Sequence, residues 1–274
     1  MAPYKKKSFI RRLISSFVLS FFVFWVFFFA NIYVYALVVV VIAMLALGEF
    51  YKIIEKRYGG IYPSIGFIIS GLLLFFSWNE NLGLQYFVYP LSFSMILLFI
   101  YQFVRKTNKD AALCLGLTIL GLLYITIPCL FFIKIRVLNS GAYLIAYFVF
   151  VSKATDIGAY LVGTKFGKHP LIPRISPKKS VEGFIGGIIF SFTAAYLGAK
   201  YVPAISLNHV PAIGLILGIC AQFGDLAESV LKRDAGVKDS GRTIPGLGGM
   251  LDLIDSLLIS LPFYYLYLHI FVSK

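Results

Sequence analysis

Five carboxylates in the second half of this 274-residue chain stand where acids are rarely found: Asp156, Asp225, Glu228, Asp252 and Asp255 all fall within long apolar runs. An acid at the centre of a bilayer costs roughly 2.5–3.5 kcal/mol on insertion scales, so five of them need a shared reason. Asp225 and Glu228 are three residues apart, as are Asp252 and Asp255, and on helices each pair shares a face. Carboxylates with no Cys or His beside them select a hard cation, Mg2+ ahead of Zn2+. Glu228 also has an ordinary use, because Lys232 is four residues further along the same helix.

Two loops near these acids carry materials that suit phosphate. In the first, Ser176-Pro177-Lys178-Lys179-Ser180 precedes an apolar run, with Ser180 placed to cap a helix whose free N–H groups and dipole attract anions. The second runs from Lys232 and Arg233 through Lys238, Asp239 and Arg242 to Pro245-Gly246-Leu247-Gly248-Gly249. Its four cations and glycine run let backbone amides approach a polyphosphate closely. Gly163-Thr-Lys-Phe-Gly167-Lys168 resembles a P-loop only superficially, being one residue short and lacking a hydroxyl after its lysine. Gly183 and Gly187 have the spacing of helix packing rather than chemistry.

The elements that must position these groups are membrane helices. Residues are 59% hydrophobic and 14% charged, and mean hydropathy is +0.87, which excludes an ordinary soluble domain. The net charge of +13 lies mostly in short loops between apolar runs. It therefore points to anionic lipid headgroups and phosphates as partners, not nucleic acid. Cys114, Cys129 and Cys220 sit inside apolar runs without metal-ligand spacing. The basic residues before the first apolar run suggest a signal peptide, but that run continues with no small-residue cleavage site, so an uncleaved first span is expected.

At roughly 20 apolar residues per crossing, the run from Leu13 to Leu47 is too long for one helix and is expected to break at Asn31. Seven further spans follow, near residues 61–78, 84–104, 111–133, 141–163, 181–199, 211–231 and 250–272. The expected fold is an all-α polytopic integral membrane protein of about nine transmembrane helices with a cytoplasmic N-terminus. With that orientation, twenty Lys and Arg lie on the inside against four outside, and Lys153 lies within a helix. The five acids then share the cytoplasmic half. Residues 1–140 form five helices, a scaffold with dimer contacts, and residues 141–274 form four helices whose cytoplasmic loops carry the site. His209 and His269 fall on the outer side, leaving His169 as the one inner histidine. A phosphate monoester attacking as nucleophile, with its second pKa near about 6, needs no base, and metals with fixed cations suffice for such a transfer.

With these motifs assembled, the sequence resembles the phosphatidate cytidylyltransferases, or CDP-diacylglycerol synthases. The resemblance is carried by Gly224-Asp225, Ser229-Val-Leu-Lys232-Arg233-Asp-Ala-Gly-Val-Lys238-Asp239 and Pro245-Gly246-Leu247-Gly248-Gly249-Met-Leu-Asp252-Leu253-Ile254-Asp255-Ser256. Asp156-Ile-Gly-Ala159-Tyr160, Phe166-Gly167 and Ser176 to Gly183 are also similar. Two positions depart: the family usually has His at Leu247 and Arg at Leu253, so each departure removes a potential phosphate contact. The resemblance implies attack by the phosphate of phosphatidic acid on the α-phosphate of CTP, releasing pyrophosphate and forming CDP-diacylglycerol. It implies Mg2+ on Asp225 and Asp252, with Asp156 and Asp255 in support, and a second, monovalent cation such as K+ nearby. Asp225, Asp252, Lys232 and Lys238 become the catalytic set; Ser176, Lys178, Lys179, Ser180, Arg233, Asp239, Gly248 and Gly249 become the substrate-binding set. A homodimer in the cell inner membrane, multi-pass and open to the cytoplasm and laterally to lipid, is also implied. The competing readings are a cation-coupled transporter, since buried acids also mark ion pathways, and another lipid phosphotransferase.

Overall fold

The computed structural model describes residues 3–77, 85–105, 109–241, 243–244, 246 and 248–272, with the backbone alone for 3–14 and 85–88. The first apolar run divides as expected into helices α1 (Pro3–Phe28) and α2 (Ile32–Tyr58). Asn31 caps α2, its side-chain oxygen accepting from the Val34 amide at 2.9 Å. Helix α2 runs past the anticipated end at Leu47, because Phe50, Tyr51 and Ile54 are still buried in the core, and stops only where Gly59 takes φ 65°. Helices α3 (Pro63–Phe76) and α4 (Gln85–Val104) follow. Next comes one continuous rod of α5 (Ala111–Gly121), a π-helical turn at Leu122–Thr126 and α6 (Ile127–Val137). The wide turn ends next to Pro128, whose ring and missing N–H disrupt a regular ladder.

The remaining helices are α7 (Gly141–Phe166), α8 (Val181–Ala199), α9 (Val210–Asp234) and α10 (Met250–Phe271). Between α7 and α8, a stretch expected to be loop folds into a small antiparallel hairpin of β1 (Pro170–Ile172) and β2 (Ser176–Ser180). Among the described residues, six helical stretches are long and apolar enough to cross a membrane. Residues 15–28, 63–76 and 89–104 are shorter apolar helices. The molecule is thus an all-α membrane protein. Large apolar side chains such as Phe17, Phe99 and Phe103 face outward, while Tyr35, Phe50, Phe148 and Tyr264 fill the interior.

Helix packing sets the site. At Gly183 an added Cβ would press on the Ala159 carbonyl and Gly163, and at Gly187 on Gln222, so these glycines do seat α8 against α7 and α9. Helices α9 and α10 meet at Gly224, where a methyl would overlap the Asp255 carbonyl. That contact brings the acid-bearing faces of the two helices together.

Candidate active site

Lys232, in the last turn of α9, sits between two carboxylates: Glu228 Oε2 at 2.5 Å and Asp252 Oδ1 at 2.7 Å. Glu228 is almost completely buried, and the i,i+4 pairing legible in the sequence is present. Asp252 belongs to the first turn of α10. Its Oδ2 accepts from the Gly249 amide at 2.9 Å, closing the helix start, and from the Ser240 amide at 3.2 Å. Both Asp252 oxygens are therefore engaged, one by an ammonium and the other by two backbone amides. Lys232, Asp252 and the loop between them form one charge-assisted unit.

A second ion pair joins the hairpin to α9. Lys179 Nζ lies 2.7 Å from Asp225 Oδ2. These two residues line a cleft of about 290 Å3, together with Asp156, Lys178, Ser180 and Tyr160. Lys178 is exposed. Ser180 caps α8 as expected, accepting from the Gly183 amide at 3.1 Å. Glu182 folds back over the hairpin base, accepting from the Lys168 and His169 amides and from the His169 ring at 2.5 Å. Ser176 begins β2 and pairs with Ile172. The exposed Arg233 side chain donates to the carbonyls of Ile175 and Val237, at 3.2 and 3.3 Å, so it ties the hairpin to the glycine-rich loop. Lys238 and Asp239 are exposed on that loop. Gly248 exchanges two backbone hydrogen bonds with Ile244 and takes φ 109°. Leu247 lies outside the described residues, as do Arg242 and Pro245. Leu253 packs on the core, and its carbonyl accepts from Lys153 at 3.1 Å.

Asp156 accepts from Lys153 at 3.1 Å and from the Ser256 hydroxyl at 3.0 Å. Asp255 is buried and accepts from the Ser256 amide at 2.5 Å. Among the described residues no three His, Cys, Asp or Glu side chains converge as a cage for a metal. The cleft is nevertheless lined by two carboxylates, Asp156 from α7 and Asp225 from α9. Mg2+ is usually held by one or two carboxylates and completed by water and substrate phosphates, so this donor set fits it.

The residue that spacing did not assign to the site is Glu49, on α2. It is 6% exposed, and its carboxylate accepts from the Ser240 hydroxyl at 3.0 Å, the Thr243 hydroxyl, and the Met250 and Leu251 amides at 3.0 and 2.9 Å. One acid from the first half thus holds both the glycine-rich loop and the start of α10. Its signal in the sequence was its isolation as an acid in a long apolar segment; at the expected boundary it read as a helix end, whereas it lies inside α2.

The fold and this site together define an integral membrane protein with a polar cleft of paired lysines and carboxylates against its last helices. The chain belongs to the cytidylyltransferase family, whose model matches residues 10–271. It is 36% identical over 228 residues to the phosphatidate cytidylyltransferase of Staphylococcus aureus (strain COL), covering 81% of this chain and 85% of that one. It is 41% identical over 182 residues to that of Bacillus subtilis (strain 168), covering 65% and 67%.

Proposed function

We propose that this chain is a phosphatidate cytidylyltransferase, dependent on Mg2+ and working on the cytoplasmic face of the cell inner membrane. An oxygen of the phosphatidic acid phosphate attacks the α-phosphorus of CTP. The new P–O–P linkage forms as the bond from the α-phosphorus to the bridging oxygen breaks, and pyrophosphate leaves with that oxygen. The products are CDP-diacylglycerol and pyrophosphate. The attacking phosphate is ionised near neutral pH, so no protein base is required. One observation carries the reading: the family match spans residues 10–271 and so includes every residue of the cleft and of the loop beside it.

In this reading Asp156 and Asp225 would hold Mg2+, which when bound would offset phosphate charge. Asp252, already engaged by Lys232 and two amides, serves as the anchor that orients Lys232 toward the loop. Lys178 and Lys179 line the cleft and bind phosphate oxygens, and Lys179 exchanges Asp225 for phosphate once that carboxylate has another cation to balance it. Purified protein supplied with phosphatidic acid, CTP and Mg2+ should release pyrophosphate and CDP-diacylglycerol in equal amounts. Pyrophosphate no faster than without enzyme would reject the reading.

Nine crossings with the N-terminus inside place the cleft on the cytoplasmic side, which the twenty-to-four split of loop cations supports. In a background without Cys114, Cys129 and Cys220, Lys168→Cys should react with an impermeant maleimide only from the cytoplasmic side, and Asn208→Cys only from outside. The reverse pattern would overturn the orientation. A homodimer contacting through residues 1–140 belongs to the same proposal, and the mass of the detergent-solubilised particle tests it.

A further inference from the structure

A second cavity, of about 410 Å3, lies between α1 and the rest of the bundle. Its walls come from α1, α2, α6, α7 and α10, and they are almost wholly apolar, with Val38, Cys129, Phe132 and Leu257 among them. Tyr35, also on the wall, directs its hydroxyl to the Phe132 carbonyl at 3.3 Å. Among the described lining side chains Lys153 alone is charged. Lys153 is the partner of Asp156, and Asp156 lines the polar cleft, so a single ion pair of 3.1 Å stands between the two spaces. An occupant spanning both spaces is apolar along its length and polar at one end.

We propose that this cavity seats one acyl chain of the phosphatidic acid substrate, with the phosphate end at the Lys153–Asp156 boundary. The proposal rests on the function given above and adds the lipid's binding path. The volume lies within the range of ligand sites that enclose most of a small molecule. Depth follows from helix geometry. Leu257 is two helical turns beyond Met250, on the order of 10 Å deeper along α10. Val38 is about 16 Å along α2 from Glu49, the residue level with the start of α10. Lys153 Nζ meets the Leu253 carbonyl, about 4.5 Å along α10 from Met250, so on the order of 12 Å separates the entry from Val38; a long chain spans that distance and a six-carbon chain stops short. Since the bilayer is itself apolar, the cavity contributes orientation rather than a hydrophobic gain: it fixes the phosphate against the cleft.

Two measurements test this. Val38→Trp fills the deep end at a half-buried position. It should lower the ratio of kcat/KM for dioleoyl over dihexanoyl phosphatidic acid about tenfold, since poor placement of a reacting group costs up to about a hundredfold. An unchanged ratio would overturn the proposal. In the wild-type protein, phosphatidic acid carrying a diazirine near the end of one acyl chain should label peptides containing Val38, Cys129 or Leu257. Unlabelled phosphatidic acid should suppress that labelling, and phosphatidylcholine should not. Labelling confined to outward-facing residues such as Phe103 would overturn the proposal whether or not Val38→Trp folds. Absence of turnover with both substrates would reject the enzymatic reading, and the labelling pattern would still decide whether the cavity takes the lipid.

Discussion

Asp225→Asn lowers nucleotide transfer by about a thousandfold or more and leaves the detergent-extracted protein folded with a nearly unchanged Tm. The size of the kinetic effect follows from the proposed metal role: removing one of two carboxylates assigned to Mg2+ forfeits a contribution of several kcal/mol to the transition state. The small thermal effect follows from exposure. Asp225 is 41% exposed and its Lys179 partner 26%, and solvent-screened pairs of this kind contribute about 0–1 kcal/mol. Asp252→Asn should behave differently. It weakens a charge-assisted contact to the largely buried Lys232 and the closing of the α10 start, so a stability loss of about 1.5–3 kcal/mol accompanies the loss of activity. Parallel rate and Tm measurements at saturating Mg2+ separate the two roles. Near-normal turnover in Asp225→Asn would remove it from the metal site, and equal Tm losses in the two variants would remove the distinction between ligand and anchor.

What could be read in the sequence was local. The break at Asn31, the cap at Ser180, the Glu228–Lys232 pair and the packing glycines at 183 and 187 all depend on neighbours within four residues, and all are present. The third member of the lysine cluster, Asp252, joins across a 20-residue separation, which no helix periodicity encodes. The hairpin was hidden for another reason. Ser176-Pro177-Lys178-Lys179-Ser180 has no apolar alternation, because its strand is held by Arg233, by the Lys179–Asp225 pair and by the fold of Glu182 rather than by a buried face. The end of α2 lies beyond the expected one because charged residues from Lys52 onward mark a membrane boundary in sequence, while the helix itself continues to the glycine that can stop it.

Glu49→Ala should lower kcat about a hundredfold with no residue of the cleft altered, because misplacement on the order of 1 Å far from the chemistry can have that effect. The physical argument is a count of donors. Two carboxylate oxygens accept from two hydroxyls and two backbone amides, and alanine leaves the Met250 and Leu251 N–H groups at the α10 start without that acceptor. Loss of a helix cap typically costs about 0.5–2 kcal/mol, so Tm falls as well. A positioning role is separated from a merely structural one by hydrogen exchange. The amides of Ser240, Gly248, Gly249, Met250 and Leu251 should lose protection selectively in Glu49→Ala, while α7 and α8 keep theirs. Gly241 supplies the stronger check. A Cβ there would overlap the Glu49 carboxylate, and Glu49 supplies the three nearest atoms it would meet. Gly241→Ala should therefore be severely damaging in the wild type and nearly harmless once Glu49 is alanine, a coupling within the roughly 0.5–3 kcal/mol range of residues in contact. Additive losses in the double variant would show that the loop is held by something other than this carboxylate.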